Sequence, residues 1–313
     1  MKSILISGLK GFVGTNLGAY FKNMDYEVIG LSRSGQGKSS ENDLAWESVG
    51  SVVDLQVKTI IHLAGKAHDL KKTSDEADYF AINTGLTIKL FDIFLKSKAD
   101  TFIYFSSVKA VADSVNNFLS EEVRPNPQTA YGKSKLKAEE YLLSQNVPAG
   151  KRVIILRPCM IHGPGNKGNL NLLYQVVSKG IPYPLAAFRN MRSFLSIDNL
   201  CFIINQIIED AAIPSGIYNV ADDESLSTNE VVKIIAETLD RKARLWAIPQ
   251  PLLRAIAAIG DRIKLPLNSE RLTKLTESYV VSNDKIKRVL RVDHLPKSAS
   301  EGLRATINSF RLA

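Results

Sequence analysis

The sequence predicts an α/β fold: a doubly wound parallel sheet with a smaller C-terminal lobe. Three observations predict it. A β-branched run, Ser3–Ser7, passes through a glycine turn directly into a helical pattern. Short apolar runs at residues 58–63, 101–105 and 152–156 then alternate with helical stretches, as strands buried on both faces do. From Gly163 onward the elements become short and interleaved, with no internal repeat or low-complexity tail.

Taken in order, Ser3–Ser7 ends in Gly8-Leu9-Lys10-Gly11-Phe12-Val13-Gly14, and Leu17, Tyr20 and Phe21 follow at helical spacing. Strand, glycine turn and helix form the context of a dinucleotide fingerprint of the Rossmann type, here spaced G-x-x-G-x-x-G. Such a turn lets a pyrophosphate reach the helix N-terminus, where free N–H groups and the dipole favour an anion. A second strand at 26–31 ends in Ser32-Arg33-Ser34, where the adenine ribose is read. No Asp or Glu occurs between Val28 and Glu41, so Arg33, helped by Lys10 and Lys38, favours NADP(H); NAD(H) stays open.

A third strand is expected at 44–49. The run 58–63 leads into His62-Leu63-Ala64-Gly65, and a helix over 79–95 carries Asn83. The strand 101–105 ends at Ser106-Ser107, and the strand 152–156 runs into Arg157-Pro158. In such sheets ligands bind at the carboxyl ends of strands, where Gly8, Arg33, Ala64 and Ser107 all fall. Residues 1–162 are read as the dinucleotide-binding domain, with 194–220 returning to it, and 163–313 mainly as a substrate-binding lobe. That lobe has helical patterns at 172–177, 228–239 and 252–263 and strand-like runs at 193–197 and 217–220.

Composition narrows the class. With 45% hydrophobic and 23% charged residues, the 313-residue chain has ample material for a large core. Cys159 and Cys201 form neither a disulfide framework nor a metal spacing, so a reducing cytoplasm is expected. The net charge of +8 is spread without an arginine-rich tract or finger motif, which argues against nucleic acid and suits anionic small molecules. The longest apolar patch, 252–259, is interrupted by Arg254 and too short to span a bilayer, so no membrane partner is expected.

Within the helix that begins at Tyr131-Gly132-Lys133-Ser134-Lys135, Tyr131 and Lys135 share one face. A lysine ammonium beside a tyrosine stabilises the phenolate, so the Tyr131 pKa is expected to fall toward working pH, as general acid/base chemistry requires. The spacing alone is a weak signal; its weight comes from the rest of the chain.

Gly8/Gly11/Gly14, His62-Leu63-Ala64-Gly65, Asn83, Ser106-Ser107, Tyr131-x-x-x-Lys135 and Arg157-Pro158 together resemble an extended short-chain dehydrogenase/reductase. More narrowly, the chain looks like the NAD-dependent epimerase/dehydratase group acting on nucleotide sugars. Gly163-Pro164-Gly165, Gly168-Asn169-Leu170, Arg192-Ser193-Phe194 and Tyr218-Asn219-Val220 match that group's substrate-lobe landmarks. The resemblance makes Tyr131 the acid/base, Lys135 the holder of the nicotinamide ribose, and Ser107 the hydrogen-bonding partner of the reacting oxygen. It implies cofactor contacts from Gly8, Lys10, Gly11, Phe12, Val13, Gly14, Arg33, Leu63, Ala64, Gly65, Asn83 and Pro158. It implies substrate contacts from Asn169, Leu170, Tyr183, Arg192 and Arg271. A homodimer packed through the Tyr79 and Tyr131 helices is expected by the same analogy.

The chain departs from the group's pattern at Ser282, where an acid is usual, at Arg291-Val292 in place of glycine-tryptophan, and at His162 in place of a tyrosine. His62 and His162 are read as packing residues. Two reactions share the same residues: NADPH-dependent reduction of a UDP-linked 4-keto (6-deoxy-N-acetyl) hexose, favoured by Arg33, and NAD-dependent UDP-sugar 4-epimerisation. A third reading, a catalytically inactive dinucleotide-sensing scaffold, sits poorly with an intact Ser107, Tyr131 and Lys135.

Overall fold

The structure, a computed structural model, describes residues 2–33, 43–67, 75–115, 117–166, 168–263 and 268–311. The first half alternates β1 (Ser3–Ser7), α1 (Phe12–Lys22), β2 (Glu27–Ser32), β3 (Leu44–Ala45), β4 (Thr59–His62), α2 (Glu76–Tyr79), α3 (Leu86–Lys96), β5 (Thr101–Phe105), α4 (Ala130–Ser144) and β6 (Arg152–Pro158). The second half runs β7 (Met160–His162), α5 (Asn169–Ser178), β8 (Arg192–Ser196), α6 (Ile197–Glu209), β9 (Gly216–Val220), β10 (Ser225–Leu226) and α7 (Thr228–Thr238). It closes with α8 (Gln250–Ile263), α9 (Ser269–Thr276), α10 (Asp284–Leu290) and α11 (Ala299–Arg311).

Seven strands form one parallel sheet in the order β3-β2-β1-β4-β5-β6-β9. A smaller sheet, β10-β8-β7, belongs to the second half. Strand order reverses between β1 and β4, the switch point at which such sheets bind ligands. Alternate residues of each strand feed opposite faces. Ile4 and Ile6 of β1 pack with Leu17 and Phe21 of α1 and with Ile203, Ile204 and Ile207 of α6. Leu5 meets Leu90, Phe91 and Phe94 of α3 and Ala138 and Leu142 of α4 on the other side. A separate core of Leu170, Val177, Val231, Ile235, Leu303 and Ile307 holds the second half together.

The expected third strand is a correction. Only Leu44 and Ala45 pair with β2, and Trp46–Asp54 is a 3₁₀ helix. Its buried residues, Trp46, Val49 and Val52, recur every third position, which is the 3₁₀ period rather than the strand period of two. The single helix expected over 79–95 is instead α2 and α3 joined by a π-helical turn, Phe80–Gly85, which carries Asn83.

Candidate active site

At the end of β1 the backbone turns on Gly8, at φ +75, and α1 begins with Gly11 as its N-cap. A Cβ on Gly14 would lie 2.7 Å from the Leu9 backbone, so only glycine lets α1 close against the turn. The first turn of α1 has no side-chain cap and no acidic residue. Its uncapped N–H groups therefore fit the diphosphate of a dinucleotide. Across the switch point, Leu63 N–H donates to the Ser7 carbonyl (3.1 Å) and Ala64 N–H to the Ser7 hydroxyl (3.2 Å), which sets the Leu63-Ala64-Gly65 segment beside the glycine turn. His62, buried between Ser7 and Thr87, bonds both hydroxyls (2.6 and 2.9 Å), and burial holds its pKa down at about 3. It is a packing residue, as expected.

Three segments converge at the ends of β5 and β6. Ser107, buried, caps a short 3₁₀ turn through its hydroxyl, which accepts from Lys109 N–H at 3.2 Å. Tyr131 enters at the start of α4, which Thr129 caps by accepting from Gly132 N–H at 3.2 Å. The Ser107 hydroxyl lies near enough to the Tyr131 phenol to favour its phenolate, and Tyr79 packs edge-on against the Tyr131 ring. Lys135 is buried; its Nζ donates to the Phe105 carbonyl at 2.7 Å and lies over the Tyr104 ring. Asn83 stitches the neighbouring loop to α4: its amide accepts from Lys66 N–H (2.7 Å) and donates to Ser134 Oγ (2.9 Å).

The expected Tyr–Lys coupling needs correction. Burial pushes the Tyr131 phenol up from its ordinary value, and the neighbouring Ser107 hydroxyl opposes the rise. Lys135 is pushed down to about 8 by burial, with the Glu139 carboxylate pulling the other way.

Several site residues were invisible in the one-dimensional pattern. Glu139, one helical turn after Lys135, forms a buried ion pair with Arg157, with Nε to Oε1 at 2.9 Å, and also accepts from Ser106. Ser106 separates Phe105, which holds Lys135, from Ser107, so this pair anchors the strand end that positions both. Gly132 lies against the Lys109 carbonyl. Asp43 is the third: it is buried and accepts from Gly30 N–H at 2.9 Å. An acid thus reaches β2 in space, although none follows it closely in sequence.

The other expected contacts divide. Gly11, Phe12, Val13, Gly65 and Pro158 lie at the same sheet edge, Arg33 is exposed just past β2, and Lys10 is exposed in the turn. Lys38 lies outside the described residues. In the lobe, Asn169 opens α5 and is exposed, whereas Leu170 is a correction: it is packed into the lobe core and faces away from solvent. Tyr183 is mostly buried beside Arg192. Arg192 donates to the carbonyls of Lys274 and Glu277 and pairs with the Glu277 carboxylate at 3.8 Å. Arg271 is exposed on α9. Tyr279 ties the two halves, donating to Val108 and Ala112 carbonyls while Lys109 Nζ stacks 4.1 Å from its ring centre. No group of three or more His, Cys, Asp or Glu suited to a metal ion occurs among the described residues.

The comparisons agree with this architecture. A UDP-glucose 4-epimerase of Vibrio cholerae is 32% identical over 99% of this chain and 95% of its own length. An Escherichia coli O157:H7 protein, N-acetyl-α-D-glucosaminyl-diphospho-ditrans,octacis-undecaprenol 4-epimerase, is 26% identical over 91% of this chain and 85% of its own length. The fold matches that of a UDP-glucuronic acid 4-epimerase from Bacillus cereus solved with NAD, at a TM-score of 0.75 and 18% identity, covering 99% of this chain and 96% of that one. Residues 4–221 match the NAD dependent epimerase/dehydratase family, and the chain, an enzyme of the extended short-chain dehydrogenase/reductase type, belongs to that family.

Proposed function

We propose that the protein is a 4-epimerase of a UDP-linked sugar, using Ser107, Tyr131 and Lys135 with NAD bound along the β1–β4 crevice. The observation that carries this reading is an intact Ser107–Tyr131–Lys135 arrangement in a chain 32% identical, over 99% of its length, to a UDP-glucose 4-epimerase. The NADPH-dependent reduction expected from Arg33 has weaker support. Arg33 is exposed, and the relative at 32% identity is a 4-epimerase.

Bound NAD supplies reversible hydride acceptance at the sugar C4. The chain supplies the rest. Tyr131 takes the proton of the 4-hydroxyl and later returns it. Ser107 turns its one hydroxyl proton to the reacting oxygen once the sugar is bound. Lys135 holds the nicotinamide ribose and keeps positive charge under the site. Gly8, Gly11 and Gly14 hold the diphosphate of the cofactor, with Asn83 and Gly65 flanking the ribose. In the lobe formed mainly by residues 163–313, Asn169 and Arg192 take the diphosphate of the substrate and Tyr183 lies along its base. Remote binding energy from that nucleotide positions the sugar for reaction.

The test is to denature the purified protein, identify released dinucleotide, and incubate the native protein with UDP-glucose or UDP-N-acetylglucosamine without added cofactor. Released NAD and interconversion at C4 are expected. Tyr131→Phe should retain NAD and lose turnover by ~10²-fold, the scale of a positioned general acid. Absence of bound NAD, with net consumption of NADPH on a UDP-4-keto sugar, would overturn the reading. The E. coli relative favours a second version, the same 4-epimerisation on a sugar diphosphate carried by a polyprenol. Turnover of that lipid-linked sugar but not of the UDP sugars would select it.

A further inference from the structure

We infer that α8 lies on an anionic lipid bilayer and docks the C-terminal lobe at a membrane surface. The segment is the one whose shortness excludes a membrane span, and no helix among the described residues is long and apolar enough to cross a bilayer. Tertiary structure shows a different property. Among its described side chains, α8 packs on the lobe through a narrow stripe, Leu253, Ala257 and Gly260. A second apolar stripe, Leu252, Ala255, Ile256 and Ile259, recurs at i, i+3, i+4 and i+7 and faces solvent. Leu252, Ile256 and Ile259 are 53%, 38% and 56% exposed, and Trp246 is 59% exposed. Trp246 belongs to the same edge: its carbonyl accepts from Ala186 N–H, and Gln250 at the start of α8 donates to the Ala187 carbonyl.

Charge identifies the occupant. Residues 241–263 contain five basic side chains, Arg241, Lys242, Arg244, Arg254 and Arg262, all exposed, against one acid. That acid, Asp261, is already engaged by the backbone and hydroxyl of Ser269 at 2.9 and 2.6 Å. An exposed apolar stripe with Arg262 at its border, and a basic, indole-bearing segment leading into it, is the pattern of a helix lying in the headgroup plane. Anionic lipid neutralises this border. A second copy seated on the same stripe would instead bring two basic borders together. The inference is independent of the reaction, because it uses no residue of the catalytic edge.

The test is co-sedimentation of the full chain with vesicles of equimolar phosphatidylglycerol and phosphatidylcholine, or of phosphatidylcholine alone. Strong binding to the anionic vesicles, weakened by salt and by omitting phosphatidylglycerol, is expected. The chain has two tryptophans, and Trp46 is buried, so a blue shift on vesicle addition reports Trp246; it should vanish in Trp246→Phe. Ile256→Asp combined with Ile259→Asp should reduce partitioning about tenfold or more, from lost apolar burial. An unchanged thermal melt and unchanged epimerase turnover on a soluble UDP sugar would confirm that the doubly substituted protein is folded. Equal partitioning of the substituted and unsubstituted proteins, or no binding to anionic vesicles at low salt, overturns the inference. So does a self-association seen by sedimentation velocity that the same substitutions abolish, because the stripe is then an interface between copies.

Discussion

Gly132 sits so close to the Lys109 carbonyl that no side chain fits between them. A Cβ there would also lie 2.8 Å from the Pro127 Cβ and 3.2 Å from the Thr129 hydroxyl that caps α4. This contact lets the first turn of α4, carrying Tyr131, reach the loop carrying Ser107. Gly132→Ala should therefore part the two and lower turnover by on the order of 10²-fold, the cost of roughly an ångström of misplacement. Dinucleotide binding at Gly8–Gly14 should survive. Turnover and released NAD, measured together, check this; an unaltered kcat would remove Gly132 from the account.

The pH dependence follows from Lys135, whose pKa burial lowers to about 8 while Glu139 raises it. An unfolded lysine keeps its proton to about 10.4. Between these values the unfolded chain binds more protons than the native one, so this group makes stability rise with pH across that window. Catalysis should move the other way. As pH rises through about 8, Lys135 loses the charge that supports the site, and kcat/KM should fall. Glu139→Gln removes the opposing carboxylate and should shift that alkaline limb to lower pH, while an unmoved limb would show that Lys135 does not set it.

Arg192 holds two carbonyls of the 274–277 segment, and the proposed function also gives it the substrate diphosphate. Arg192→Ala should raise the KM for the UDP sugar about tenfold or more, the worth of a charge-assisted hydrogen bond. Affinity for NAD should change little. Equal loss of both would mean that the substitution acts through general unfolding of the lobe.

Arg291 ends α10 in the left-handed conformation, at φ 57. The position is one where the resemblance leads one to expect glycine, and the backbone explains why: an L side chain is strained there. Arg291→Gly should stabilise the protein by about 1 kcal/mol, read as a higher urea midpoint at constant slope. A lower midpoint would indicate that the Arg291 side chain contributes more than its backbone costs.

The sequence by itself determined what short periodicities encode. The β-branched run into Gly8, the buried strands at Thr59–His62 and Thr101–Phe105, and the one-turn spacing of Tyr131 and Lys135 are local, because strands repeat every two residues and helices every 3.6. They were enough to predict a parallel sheet and the edge where its ligands bind. Tertiary structure decided whatever depends on which chain segment passes beside which. It brought Asp43 to Gly30, Glu139 to Arg157 and Ser106, and the Gly132 backbone to Lys109. It also turned Leu170 into the core and left one apolar face of α8 in solvent. Apolar spacing marks a stripe on a helix but not the neighbour that covers it, and a carboxylate's partner is set by the path of the backbone rather than by distance along it.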